Sequence, residues 1–285
     1  MTNTNNDPSK LILVTGGTGK TGRRVIRRLE AQGVPVRIGS RSADVPFDWN
    51  DSSTWAPVLR NVASVYIVYY PDLAVSGAAD TIRAFVDLAV QSGVRRLVLL
   101  SGRGEEEAQR CERIVQQAGV AWTVLRATWF SQNFSEGFMR ELVLAGVVAL
   151  PAGDVREPFV DVEDIAEIAA AALTEPGHAG QCYELTGPRL LTFAEAVGEI
   201  AKATGRDVAY VPIAHEAFQS ALKEQGAPAE LIGLLGYLFR EILDGRNSRL
   251  TDGVRRALGR APRDFGEYAR DAAAAGFWHE QEIPA

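Results

Sequence analysis

The run Gly16-Gly17-Thr18-Gly19-Lys20-Thr21-Gly22 gathers glycines, hydroxyls and a lysine where a chain can hold a phosphate. The spacing reads as Gly16-x-x-Gly19-x-x-Gly22 or as Gly17-x-Gly19-x-x-Gly22. Glycine lets the backbone turn tightly and approach a pyrophosphate. The helix that follows presents unpaired N–H groups and a positive dipole end to the anion. A triphosphate-hydrolysing loop is set aside, because Gly19-Lys20-Thr21 would need a glycine at position 14, where Val14 stands in a strand. A glycine turn without a ligand is the alternative; a strand before and a helix after favour a dinucleotide fingerprint.

Other residues that could meet a dinucleotide follow at strand ends. After Val36-Arg37-Ile38-Gly39, where NAD-selective sites carry an acid for the ribose, stand Ser40, Arg41 and Ser42. An arginine there pairs with a 2′-phosphate, so NADP(H) is favoured over NAD(H), against a solvated surface arginine. Asp48 and Trp49 flank the adenine, or Trp49 is a core aromatic. Tyr69 and Tyr70 line the cleft, or they pack. Ser101-Gly102 ends the strand at which a nicotinamide would sit, and Ser101 is the one catalytic candidate. The Tyr-x-x-x-Lys pair of short-chain dehydrogenases is absent: none of the 7 tyrosines has a lysine four residues on. Glu105, Glu106 and Glu107 read as acidic residues favourable to a helix start. His178, His215 and His279 sit in polar, loop-like contexts without metal or triad spacing, and no metal site is expected.

These residues need a scaffold, and the pattern supplies one. Strands are expected at Leu11–Thr15, Val36–Ser40, Val65–Val68, Arg96–Leu100, Trp122–Arg126 and Cys182–Leu185. Helices are expected at Arg23–Gln32, Ala79–Ser92, Glu105–Ala118 and Phe193–Thr204. Strands alternating with helices predict an α/β chain with a doubly wound, mostly parallel sheet. From Trp129 the alternation weakens, and Phe130, Phe134, Phe138 and Leu142 recur at helical spacing. The expected division is 1–150 for the nucleotide domain, with 179–187 returning as a late strand, and 151–285 mainly for a small, discontinuous C-terminal cap.

The composition narrows the partners. The 285 residues carry a net charge of -6, with 46% hydrophobic residues, which fits a globular protein and argues against nucleic acid or an anionic membrane as main partner. Val86–Val90 and Ala166–Leu173 are too short to span a bilayer, and Met1–Lys10 has no apolar core. Cys111 and Cys182 lack metal or Cys-x-x-Cys spacing. A cytoplasmic protein is expected; the oligomeric state is open.

Several motifs together resemble the NmrA-like branch of the atypical short-chain dehydrogenase/reductases. They are Val14-Thr15-Gly16-Gly17-Thr18-Gly19-Lys20-Thr21-Gly22, Leu99-Leu100-Ser101-Gly102, and Thr123-Val124-Leu125-Arg126 with Asn133-Phe134. Phe159-Val160-Asp161-Val162-Glu163-Asp164-Ile165-Ala166 and Tyr183-Glu184-Leu185-Thr186-Gly187 complete the match over nearly the whole chain. The nearest flavour is that of bacterial relatives of ergot-alkaloid reductases, with triphenylmethane-dye and quinone reductases as cousins.

The resemblance implies a Rossmann domain with a cap, a pyridine nucleotide, and reduction of imines, quinones or conjugated aromatics without the tyrosine–lysine pair. It places Thr18 to Gly22 at the pyrophosphate, Arg41 at the 2′-phosphate, and Val68 to Pro71 with Ser101-Gly102 at the ribose and nicotinamide. Trp129, Phe130 and Asn133 would face an aromatic substrate, with core packing the alternative for the two rings. Asp161 and Asp164 are expected to cap the next helix. Secondary metabolism, including antibiotic biosynthesis, is the expected setting. An auxiliary role beside an oxygenase acting on an aromatic polyketide, or a redox-sensing regulator, are the other readings; a sugar-nucleotide epimerase is disfavoured by the missing pair.

Overall fold

The computed structural model describes residues 11–279, so the expectation for Met1–Lys10 lies outside the described residues. The chain divides into two compact units. The first holds residues up to Ala127, Val162–Leu185 and Asp252–Arg260; the second holds Thr128–Asp161, Thr186–Thr251 and the residues from Ala261 on.

In the first unit, strands numbered in chain order are β1 (Ile12–Thr15), β2 (Val36–Gly39), β3 (Ser64–Ile67), β4 (Arg96–Gly102), β5 (Ala121–Ala127) and β8 (Gln181–Leu185). They form one sheet in the order β2-β1-β3-β4-β5-β8, every pair parallel. The helices are α1 (Gly22–Ala31), α2 (Trp55–Leu59), α3 (Ala78–Gln91), α4 (Glu106–Gln116), α6 (Val162–Thr174) and α10 (Gly253–Leu258). The continuous apolar runs of β1 and β3 follow from burial on both faces, since helices cover a parallel sheet on each side. One core gathers Leu13, Val65, Leu97 and Leu99 with Phe47, Trp49, Trp55 and Phe85. Because β2 and β3 flank β1 on opposite sides, the connection reverses at β1. Ligands of doubly wound folds lie at the C-terminal strand ends at such a point.

Two pieces join this unit from late in the chain. Helix α6 buries Ile165, Ile168, Ala169 and Leu173, and its many alanines let it lie close on the sheet. Arg24, Arg27 and Arg28 of α1 all pair with Glu163 of α6 at 2.7–3.0 Å. Helix α10 is fixed through Gly253, where a Cβ would overlap the Glu184 backbone, and Arg256 lies 5.4 Å from the Tyr183 ring centroid.

The second unit contains β6 (Val147–Leu150) paired parallel with β10 (Ala209–Pro212), and β7 (Arg156–Glu157) paired antiparallel with β9 (Leu191–Thr192). Its helices are α5 (Phe138–Leu144), α7 (Phe193–Thr204), α8 (His215–Glu224), α9 (Ala229–Tyr237) and α11 (Phe265–Ala274). Phe134, Phe159, Phe193, Phe239, Phe265 and Trp278 build an aromatic core. The expected single helical stripe from Phe130 to Leu142 is broken. A 3-10 turn spans Ser131–Phe134 and α5 starts only after Gly137. The four apolar side chains therefore do not share one helix face. The division at Ala127 leaves residues 128–150 in the second unit, while α6 and α10 pack in the first.

Candidate functional site

The glycine turn follows β1 at the reversal point. Gly19 N–H donates to Gly16 O at 2.9 Å, and Arg23 N–H donates to Gly19 O at 3.2 Å, closing the turn onto α1. Gly16 has φ +61, and a Cβ at Gly22 would overlap the Gly16 carbonyl. Both positions therefore require glycine, one for its dihedral and one for the close approach. Thr18 and Gly19 are exposed and Lys20 is half-buried, whereas Thr21 and Gly22 are buried. This is a cradle that fits a pyrophosphate at a helix N-terminus.

At the end of β2 stand Gly39 and Ser40 with no carboxylate. Arg41 is exposed and has no partner among the described residues, while the Ser40 and Ser42 hydroxyls lie 3.4 Å apart. Neighbouring Arg37 is committed elsewhere, donating to Val58 O and Arg60 O. An exposed guanidinium here fits a 2′-phosphate.

Trp49 lies in the core of the first unit. Its ring packs 4.9 Å from Phe47, 4.9 Å from Phe85 and 5.0 Å from Tyr69, and its Nε1–H donates to Val68 O at 3.0 Å. Trp49 is thus a core aromatic that props the end of β3. Asp48 serves its own turn, its Oδ1 accepting from Asn50 N. Tyr69 packs on the same core, whereas Tyr70 is 70% exposed and precedes Pro71 through a cis peptide bond.

Ser101 is buried on β4, and its hydroxyl donates to Glu112 Oε1 of α4 at 2.6 Å. The parallel register sets Arg126 of β5 opposite Ser101, and Glu184 of β8 opposite Arg126. Arg126 then pairs with Glu112 and, at 2.9 Å, with Glu184 Oε1. Glu184 also meets the buried Arg103 at 3.4 Å. The candidate catalytic hydroxyl is held as a donor in a charged network.

Beside it lies a buried acid that the sequence does not reveal. Glu105 flanks the start of α4 and is buried against Gly102, where a Cβ would overlap its carboxyl. The charge of Asp72, in the segment between β3 and α3, acts on that carboxyl. Burial first, then the charges of Asp72 and Glu112, push Glu105 up to about 9. Burial also raises Asp72, against an N–H donated by Ala74. Gly102 opposite a glutamate three residues on is the only local signal of this contact. Asp72 comes from another strand end. Glu107, by contrast, accepts from Ala79 N at 3.4 Å and pairs with Arg110 at 3.0 Å.

In the second unit, Trp129, Phe130 and Asn133 are all half-buried. Trp129 packs 4.9 Å from Phe239 and 5.5 Å from Phe193. Phe130 bridges to Val160 in parallel, with Val160 N–H donating to Trp129 O at 2.9 Å. Asp161 accepts from Gln132 Nε2 at 2.6 Å and from Arg263 Nε at 2.8 Å, which makes it a cross-link of its loops. Back in the first unit, buried Asp164 pairs with Arg260 at 2.8 Å. His178, expected in a polar loop, is buried with Nδ1 3.0 Å from Tyr183 Oη. Cys111 is a buried thiol pushed up to about 12 by desolvation and then by Glu107. Among the described residues no group of acids, histidines and cysteines could hold a metal ion, and no helix is long and apolar enough to cross a membrane.

A model of the NmrA-like family matches residues 8–268. An uncharacterized oxidoreductase of Bacillus subtilis is 34% identical over 94% of this chain and 96% of its own. Agroclavine dehydrogenase of Claviceps fusiformis is 30% identical, covering 91% and 96%. The NAD(P)H azoreductase of Xenophilus azovorans is 30% identical, covering 93% and 99%. Among solved structures, triphenylmethane reductase of Citrobacter sp. in complex with NADP(H) shares the fold with a TM-score of 0.75 at 21% identity, over 92% of this chain and 99% of that one. An Escherichia coli NADPH-dependent quinone oxidoreductase does so with a TM-score of 0.72 at 23% identity, over 91% and 99%.

Proposed function

The chain belongs to the NmrA-like family, and from that premise we propose that it is an NADP(H)-dependent oxidoreductase that passes hydride directly to a planar, conjugated small molecule. One arrangement carries the reading. A glycine cradle at the sheet's reversal point is flanked, at the end of β2, by an exposed arginine without a partner among the described residues, where an NAD site would place an acid. The names of the relatives, a dehydrogenase and an NAD(P)H azoreductase among them, support the class.

When bound, the cofactor supplies a hydride at its nicotinamide. The chain's part is placement. Thr18 to Gly22 hold the pyrophosphate, Arg41 reads the 2′-phosphate, and Ser101-Gly102 border the nicotinamide. Trp129 and Phe130 offer ring faces to a flat substrate, and Asn133 a polar contact. A quinone or an iminium is electron-poor enough to accept hydride without a tyrosine acid, which fits the missing Tyr-x-x-x-Lys pair.

The test is NADPH oxidation with a panel of quinones and cationic iminium dyes. Acceptor-dependent oxidation supports the reading. Tight cofactor binding with no turnover on any acceptor supports a redox-sensing regulator instead, which the engaged Ser101 hydroxyl favours. Turnover only in the presence of an oxygenase would mark an auxiliary component of a hydroxylating system.

A further inference from the structure

A groove between α3 and α4, within the first unit, has no part in the cofactor reading. It encloses about 350 Å³, room for a small molecule rather than for a single ion. Three guanidiniums line it, Arg83 of α3 and Arg110 and Arg113 of α4, on a chain whose net charge is -6. Among the described residues Arg110 is paired with Glu107 at 3.0 Å, whereas Arg83 and Arg113 are exposed and have no partner. Like charges gathered around one cavity repel each other, and an anion relieves that repulsion. Glu107 already shows the kind of group the groove takes. Its carboxylate accepts from Ala79 N–H of α3 at 3.4 Å and from Arg110 of α4 at 3.0 Å.

We propose that this groove binds a phosphate monoester of a small hydroxylated molecule, with the phosphate held by Arg83 and Arg113. The two arginines decide the anion. A carboxylate carries one charge on two oxygens, which Glu107 already supplies to Arg110. A phosphate monoester carries up to two charges on three acceptor oxygens, enough to engage two guanidiniums at once. The planar guanidinium fork matches phosphate oxygens in bidentate contacts.

The rest of the lining decides the organic part. Asp80 is exposed and has no partner among the described residues, so it offers acceptors to hydroxyl groups, and Gln117 offers both a donor and an acceptor. Asp80 also repels a ligand that is anionic throughout, which favours a phosphate carried on a neutral polyol. Ile114, 7% exposed, gives the carbon skeleton an apolar surface. All these residues belong to α3 and α4, none to the glycine cradle, and the inference is independent of the reductase reading.

Calorimetric titration of the full chain with glucose 6-phosphate and with inorganic phosphate tests this, with glucose, and potassium chloride at matched ionic strength, as controls. Glucose 6-phosphate should bind with a Kd of about 1 mM or below, and severalfold more tightly than inorganic phosphate, while neither control binds. Arg83→Gln combined with Arg113→Gln should weaken it about tenfold, from about threefold for each exposed ion pair. Arg41→Glu should leave it unchanged, which separates the groove from the 2′-phosphate contact. The bound ester should also protect Arg83 and Arg113 from phenylglyoxal, read residue by residue by peptide mass mapping. No saturable binding, an unchanged Kd in the double variant, or an ester bound no more tightly than inorganic phosphate overturns the proposal. So does a dimer that the double variant dissociates while wild type binds no ester, which would make the groove a contact between two copies of the chain.

Discussion

The Ser101 hydroxyl donates to Glu112 Oε1 at 2.6 Å, and Glu112 is itself bound to Arg126. A serine so placed serves first to satisfy a buried carboxylate, because an unpaired charge in the interior is costly. Ser101→Ala should lower stability by about 1.5–3 kcal/mol, the worth of a hydrogen bond to a charged group. Denaturant melts and steady-state kinetics separate the roles. A loss of stability with kcat within about twofold assigns Ser101 to the network; a hundredfold fall in kcat without a stability change would make it the proton-transfer group.

The glycine turn yields a ranking. A Cβ at Gly22 would overlap the Gly16 carbonyl, whereas one at Gly19 would stand 3.1 Å from it. Gly22→Ala should therefore cost about 1–3 kcal/mol, as overpacking does, and more than Gly19→Ala. Thermal melts of the two variants compare them directly. An equal loss would mean that the turn relaxes around position 22.

Arg41 is exposed and partnerless among the described residues, so its replacement should leave the fold intact. Arg41→Glu should raise the Kd for NADPH by about tenfold or more while leaving that for NADH nearly constant. This follows because a charge-assisted contact is exchanged for repulsion. Calorimetric titration with both nucleotides checks it, and equal losses would remove Arg41 from the 2′-phosphate.

Glu105 makes stability pH-dependent. Its folded value, about 9, lies above the ordinary carboxylate value, so between the two the folded state holds more protons than the unfolded chain. Stability is therefore full below the ordinary value and is lost as pH rises through the window, by at most about 1.4 kcal/mol per pH unit. Glu105→Gln should flatten that slope. Urea midpoints at about pH 5.5 and about pH 8.5 measure it, and parallel slopes in both proteins would contradict the raised value.

Trp129 combines packing with exposure. Trp129→Ala removes contacts to Phe193 and Phe239 and should cost about 2 kcal/mol, less than a fully buried aromatic. Trp129→Phe keeps a ring there. In that variant a severalfold rise in substrate KM with an unchanged NADPH Kd would place Trp129 at the substrate; an unchanged KM would confine it to the aromatic core.

The sequence by itself determined the strand–turn–helix at Gly16 to Gly22 and the six sheet strands to within a residue or two of their ends. Apolar runs and glycine requirements are local properties of the chain, and burial on both faces of a parallel sheet writes them directly into the sequence. It also determined the absence of the Tyr-x-x-x-Lys pair. Tertiary structure decided which polar groups meet. Ser101, Arg126 and Glu184 form one row only because β4, β5 and β8 are neighbours in a particular register. Trp49 lies in the core because Val68 O and the Phe47 and Phe85 rings converge on it. The Glu105 carboxyl fills the space that Gly102 leaves because the chain folds back on itself where β4 ends. Strand order and register are set by the packing of the whole sheet, and no periodicity along the chain encodes which side chains will face each other across it.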